Sequence, residues 1–405
     1  MSATRLADRA ILTARALARA QHQEAAEDHF AGELPMTLRC PEPRRDYNFL
    51  SGYALLHLAV CRRFLERGLP HEALELVERV LAVAADLAAV YRSERGTNNW
   101  YHGKLSGDRT PPDFPWPNGL VLSLRDDLDD TAIAALLTSL SSDGAPGPYR
   151  AELFTSRAYR AGRDALRSSS LERLSAAGAG DGVYLTWALD QGSASLEGLP
   201  SPGRLLLPLE NSVEMVTVSN IHAAVHRLGG PAGSEAHGAS ARFVNAIARA
   251  AVAALLRGDP APMVKAARYY PRAPFAPIGF LLRNHLLSDR TLLDEDTLRA
   301  IAFAASEVDP FLCAAPEPFA APLHWLNAAA WCAFAGVLDW RAIRARASAV
   351  LDRLCAEHLD PETGWPDFVF FHDAHTGHYS GQAYANAVAL ETFAVVCCAE
   401  LGADD

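Results

Sequence analysis

The chain has 405 residues, 50% of them hydrophobic and 21% charged, with a formal net charge of -11. That length allows one large domain or two ordinary ones, and the apolar content excludes a disordered chain. An acidic balance with no basic block argues against nucleic-acid binding, which needs a basic face to neutralise phosphate. Alanine and leucine are abundant while aromatics make up only 8%, so helices are favoured over strands. The N-terminus lacks an apolar core followed by a small-residue cleavage site, and no uninterrupted run approaches ~20 apolar residues. These features lead to the expectation of a cytoplasmic protein with no transmembrane segment. The seven cysteines (Cys40, Cys61, Cys313, Cys332, Cys355, Cys397, Cys398) are scattered without a C-x-x-C pair and read as reduced, mostly buried thiols.

In chain order, residues 6–30 place Ala, Leu and Arg at helical spacing. Residues 47–65 and 71–91 form two stronger amphipathic patterns, expected as an antiparallel hairpin. The break between them, Arg67-Gly68-Leu69-Pro70, puts glycine past one helix end and proline before the next. A long irregular stretch then runs from 93 to 124, rich in Gly, Pro, Asn and aromatics. Loops of this length inside compact domains are usually functional. Trp100, Tyr101 and Trp116 are candidates to wall an apolar pocket whose ring faces stabilise a cation. They serve equally to pack the loop onto the body. His102 is placed to meet a carboxylate or to cap local backbone.

The loop delivers the chain to Arg125-Asp126-Asp127-Leu128-Asp129-Asp130-Thr131-Ala132, four carboxylates in five positions ahead of an apolar helical pattern over 129–140. Crowded carboxylates repel, so burial raises the pKa of at least one and separates acid from base roles. Acidic residues also gather at helix N-termini as caps, and Asp129 and Asp130 fit that structural role. Beyond the acidic string, a helical segment is expected over 149–177. Gly182 to Trp187 follows, then Glu210 to His222, in which Glu214, Asn220 and His222 are polar entries into an apolar helix. Six further helical patterns cover 241–257, 278–287, 295–306, 322–337, 340–357 and 380–401, separated by Pro and Gly clusters. About a dozen helices joined as successive hairpins pack as antiparallel neighbours.

Read from Asp127 to Ala132, the string Asp-x-Asp-Asp-Thr-Ala resembles the signature of the class II terpene cyclases, the squalene–hopene and copalyl-diphosphate type. The Leu185-Thr186-Trp187 segment, the Glu214-to-His222 helix start and Ala389-Leu390-Glu391 are similar to segments of proteins with the squalene-cyclase toroid, although Glu214 stands where those carry Asp. The resemblance implies an all-α, single-domain (α/α)6 toroid. It further implies a lyase or isomerase that cyclises a linear isoprenoid by protonation. Asp129 would be the general acid, and Asp127 and Asp130 its flanking partners. Trp100, Tyr101, His102, Trp116, Trp187, Glu214, Asn220 and His222 would line the substrate cavity, with a base or water near Glu214, Asn220 or His222 ending the cascade. Protonation needs no metal; Mg2+ is expected only with a diphosphate substrate, together with Arg125 or Lys104. Repeated Gln-Trp motifs are absent, and the length suits one toroid acting on a chain shorter than squalene. The expected partner is a small isoprenoid, with a homodimer as one arrangement.

Other arrangements carry less. Asp126, Asp127 and Asp130 fit the Asp-Asp-x-x-Asp magnesium spacing of class I terpene synthases, but no second metal motif follows. Asp309, Cys313 and His375 invite comparison with the zinc site of prenyltransferase β-subunits, at altered spacing, and His372, His375 and His378 sit three apart. A carboxylate pair on such a frame would also serve a carbohydrate-active enzyme, with Asp129 and Glu214 as acid and base. A non-catalytic toroid that binds lipid or protein would leave Asp129 exposed.

Overall fold

The computed structural model describes residues 3–26, 29–39, 44–47, 50–92, 98, 114–115, 121–122, 128–141, 147–155, 183–184, 214–230, 234–267, 270–311, 319–373 and 377–404. The chain is mostly helical, in agreement with the all-α expectation. The elements in order are α1 (Ala3–Ala20), β1 (Met36–Arg39), β2 (Arg44–Tyr47), α2 (Leu50–Phe64), α3 (His71–Val83), α4 (Leu87–Val90), β3 (Phe114–Pro115), β4 (Val121–Leu122), α5 (Leu128–Ser141) and α6 (Glu152–Thr155). Then follow α7 (Met215–Arg227), α8 (Glu235–Leu256), α9 (Ala261–Ala266), α10 (Ala276–Leu287), α11 (Glu295–Glu307), α12 (Ala320–Phe334), α13 (Trp340–His358), β5 (Val369–Asp373), β6 (Gly377–Ser380) and α14 (Gln382–Asp404).

The helices sort into two kinds by their sequence. In α12 every residue from Ala320 to Cys332 is buried, and in α5 burial likewise runs all round from Leu128 to Leu137. A helix apolar on every side must be enclosed by others. By contrast α13 buries only Trp340, Ile343, Ala347, Val350, Leu351, Leu354 and Cys355, one stripe at helical spacing, and turns its arginines outward. The enclosed helices pack in sequence: α2 on α5, α5 on α7, α7 on α10, α10 on α12, α12 on α14, and α14 back on α2. Striped helices cover them from outside, with α3 and α1 against α2 and α14, α8 against α7, α11 against α12, and α13 against α12 and α14. Side-chain caps start several helices. Asp294 accepts from the Thr297 N–H, Ser234 from His237 and Asp339 from Arg341.

Two features depart from the sequence reading. The strands Met36–Arg39, Arg44–Tyr47, Val369–Asp373 and Gly377–Ser380 form a four-stranded antiparallel sheet of order β2-β1-β6-β5, with Thr37 opposite Ser380 and Leu38 opposite Tyr379. Tyr47, expected to open a helix, therefore lies in a strand. Short segments of four or five residues give no periodic signal, and the ladder joins stretches more than 300 residues apart in the chain. Gly68 also has a different reason from the one expected. It sits in a 3-10 turn, and a Cβ there would lie 2.1 Å from the backbone oxygen of Ala394, so the hairpin turn can press against α14 only through a residue with no side chain. Most of the segment expected as a helix over 149–177 lies outside the described residues. By length and composition, Glu235–Leu256 and Gln382–Ala403 are apolar enough to cross a bilayer, which a search for unbroken runs does not detect. Their apolar windows are 61% and 72% buried against the rest of the protein.

Candidate active site

The first turn of α5 points inward. Asp129 and Asp130 are both buried, so these two residues are no exposed cap. Asp129 collects donors from three neighbouring segments. Its Oδ2 accepts from the hydroxyls of Tyr270 (2.5 Å), Tyr53 (3.1 Å) and Thr217 (3.2 Å), and its Oδ1 from the Asn220 amide (2.8 Å). The Tyr53 hydroxyl also lies 3.3 Å from Oδ1 of Asp130. Because Tyr53 lies in the first turn of α2, and Thr217 and Asn220 in the first two turns of α7, the N-terminal ends of α2, α5 and α7 converge on this carboxyl. Asn284 on α10 completes the network by donating to Asn220 Oδ1 (2.7 Å) and to the Ser219 hydroxyl (2.7 Å). Burial pushes the Asp129 pKa up, and the bonds from Tyr270, Asn220, Tyr53 and Thr217 pull against that rise.

Glu214 supplies a second carboxyl. It caps α7 by accepting from the Thr217 N–H (2.7 Å), while its other oxygen is buried with no hydrogen-bond partner among the described residues. Burial, seconded by the Asp129 charge and opposed by the bond from Thr217, raises its pKa to about 8. Thr217 thus joins the two acids, its N–H on Glu214 and its hydroxyl on Asp129. Two carboxyls held in unlike surroundings titrate differently, the arrangement from which acid and base roles arise.

Proton linkage follows with a definite sign. Glu214 is raised on folding, so its stabilising contribution is complete below the unfolded value of 4.5 and is lost as pH climbs through about 8. Glu214→Gln mimics the protonated form. It is expected to flatten the decline in melting temperature between about pH 5 and pH 8, measured by circular dichroism. An undiminished decline in the variant would assign the effect to other groups.

A cluster of packed aromatic rings adjoins Asp129. Tyr53 and Tyr270 meet edge to face at 6.0 Å, Phe370 packs at 5.2 Å from Tyr53, Phe280 at 4.9 Å from Tyr270, and Tyr384 at 4.8 Å from Phe370. All five rings are buried. Ring faces in such a shell attract a cation. None of these five was singled out in the sequence, where each reads as an ordinary core aromatic on a different segment.

Of the residues expected at the site, Asp129, Asp130, Glu214 and Asn220 come together. His222 lies apart from them: its ring stacks on His237 at 3.5 Å, and Nε2 reaches the Thr291 hydroxyl at 3.4 Å. Burial, with the neighbouring histidines adding, lowers its pKa to about 2 and keeps it neutral. Asp127, Trp100, Tyr101, His102, Trp116 and Trp187 lie outside the described residues, as do Arg125, Lys104 and the cysteine and central histidine of the zinc comparison, Cys313 and His375. Among the described residues no group of three His, Cys, Asp or Glu side chains is gathered as for a metal ion.

The described part of the long loop is pinned to the motif itself. The Asn98 N–H donates to the Thr131 hydroxyl (2.9 Å), its amide donates to the Ala88 carbonyl (2.7 Å), and the Tyr149 hydroxyl donates to its Oδ1 (2.7 Å). Thr131→Val removes the acceptor and leaves a buried N–H unpaired, at a cost of about 1–3 kcal/mol. A melting temperature unchanged in thermal denaturation would refute that anchoring role.

No family model and no curated protein matches this chain. Among solved structures it is similar to a protein from Actinoplanes, with 16% sequence identity, a TM-score of 0.53, and coverage of 98% of this chain and 99% of the other. At that identity the likeness is one of fold alone, and it spans both chains nearly end to end.

Proposed function

We propose that the protein is a class II-like terpene cyclase built on a single (α/α)6 toroid, which starts cyclisation of a linear isoprenoid by protonating a terminal double bond. The closed order of enclosed helices, four of them covered by striped outer ones among the described residues, supports the toroid. One observation carries the functional reading: Asp129, the middle aspartate of the acidic motif, is buried where helix N-termini converge, joined through Thr217 to a second carboxyl and walled by aromatic rings.

In this reading Asp129 delivers the proton. Tyr53, Tyr270, Thr217 and Asn220 hold the carboxyl in one orientation and stabilise the carboxylate left behind, which lowers the barrier to transfer. Glu214, protonated at neutral pH, keeps a second negative charge off the site while Asp129 is ionised. The faces of Tyr53, Tyr270, Phe280, Phe370 and Tyr384 stabilise the migrating cation, and their apolar surfaces keep water away from it. An enclosure lined by buried aromatics favours an isoprenoid over a sugar, which needs polar groups along its length.

The test is incubation of the purified protein with farnesyl, geranylgeranyl and longer prenyl diphosphates, with and without Mg2+, followed by dephosphorylation and gas chromatography–mass spectrometry. A cyclic product supports the proposal. No turnover of any isoprenoid would reject it and direct the search to sugars.

A further inference from the structure

A second polar cluster lies deeper in the ring of enclosed helices. His57 on α2 shares a hydrogen bond between Nδ1 and Oε2 of Glu391 on α14 (2.6 Å), and Oε1 of Glu391 accepts from the Trp331 indole (2.9 Å) and the Asn327 amide (3.3 Å). Burial pushes the Glu391 carboxyl up, but His57, Arg283 and the Trp331 bond outweigh it, and the pKa falls to about 2. Glu391 is therefore ionised, with both oxygens occupied. Beside it, Arg283 on α10 is fully enclosed at 1% exposure and lies over the Phe280 ring at 4.8 Å. Among the described residues its Nε and Nη2 have no hydrogen-bond partner. Nor have Nε2 of His57 and Nε2 of His324, both buried. Arg283, His57 and His324 all line one small cavity, which Gly279 and Glu391 also border, with room for about one water molecule.

Buried N–H donors on a charged group are costly when unpaired, far more so than on a neutral one. The cavity is lined by the residues that carry these guanidinium donors and imidazole nitrogens, and an acceptor inside it would meet the donors, with each imidazole nitrogen joining them when it carries a proton. We infer that this cavity is a binding site for a monatomic anion, chloride or another halide, held by Arg283, His57 and His324. Its size excludes phosphate or an organic acid. Charge balance defines how the ion enters. Arg283 and Glu391 already offset one another, so a buried anion is balanced when a proton joins Nε2 of His57, which then donates to the ion. Around His57, α10 contributes Arg283, α12 contributes His324, and α14 contributes Glu391 and the Tyr384 hydroxyl. Burial, opposed by the Glu391 charge, lowers the His57 pKa, so the ring gains its second proton only with the anion beside it. The neutral His324 ring donates by carrying its proton on Nε2. Halide and proton are then taken up together, and binding is tighter at lower pH. This site is independent of the terpene reading.

The test is the melting temperature of the full chain at constant ionic strength, with sodium gluconate replaced stepwise by sodium chloride or bromide, at pH 6 and pH 8. A ligand that binds only the folded state raises the melting temperature in proportion to the logarithm of its concentration once above its Kd. The expected result is a rise of about 2 °C or more at pH 6, a smaller one at pH 8, and none in Arg283→Met. Equal shifts at both pH values, no shift, or a shift retained in Arg283→Met would overturn the inference. Should Arg283→Met fail to fold, anomalous diffraction from wild-type crystals grown in bromide decides. A bromide peak in contact with Arg283 supports the site, and its absence there rejects it.

Discussion

Asp129→Asn is expected to leave the protein folded and to lower turnover of a cyclised isoprenoid by about 10²–10⁴-fold or more, the range over which a positioned general acid contributes. The substitution is close to isosteric, and the oxygen of the new side chain can still accept from the Tyr270, Tyr53 and Thr217 hydroxyls that surround Oδ2. The conflict arises at the other atom. The introduced NH2 group would face the Asn220 amide, which now donates to Asp129 at 2.8 Å, so two donors meet. Asn220 cannot turn over freely, because its own oxygen accepts from Asn284. A modest local cost offsets the gain from no longer burying a carboxyl, and the melting temperature should change little. Loss of product with an unchanged fold would place the acid at Asp129. Product formation at the wild-type rate would exclude Asp129 as proton donor whatever the fold does.

The second large effect is on stability. Glu391→Leu is expected to destabilise the protein by about 3–5 kcal/mol, the cost of breaking a buried charge pair from one side. Leucine fills similar volume, but the Trp331 indole, the Asn327 amide and His57 lose their shared acceptor, and Arg283 loses the foremost of the groups that offset it electrostatically. Chemical denaturation with an unchanged slope and a lower midpoint would register this. A loss below about 1 kcal/mol would show that the cluster carries little of the stability. The same carboxyl sets an acid limit. Its folded pKa is depressed to about 2 from 4.5, so its contribution is present above 4.5 and disappears as pH falls toward about 2.

What was legible in the sequence follows from what is local. The helix expected over 129–140 is found at Leu128–Ser141, because a run of apolar residues behind acidic first-turn residues encodes both the element and its start. Glu214 and Asn220 were marked as polar intrusions in an apolar helix, and the structure brings both to Asp129. The partners that make Asp129 unusual could not be read this way. Tyr53 lies 76 residues from it and Tyr270 lies 141 residues away, and neither position differs locally from any core tyrosine. His222 illustrates the converse error. It is two residues beyond Asn220, and a rotation of about 200° at 3.6 residues per turn carries it to the outer side of α7, where it meets His237 of the covering helix α8. Sequence marks which polar residues are costly to bury; only the packing tells which of them share a burial place.

The order in which the enclosed helices meet has a consequence for biogenesis. Early in the chain, α2 requires both α5 and the last helix, α14, as neighbours, and α1 also lies on α14. The strand pairing of 37–39 with 378–380 spans the same interval. A nascent chain leaving the ribosome therefore carries the apolar flanks of its first helices uncovered until residues 377–404 have been made. Joining those segments is a non-local event with a large loop entropy. Until then the incomplete chain exposes apolar surface of the kind that holdase chaperones bind.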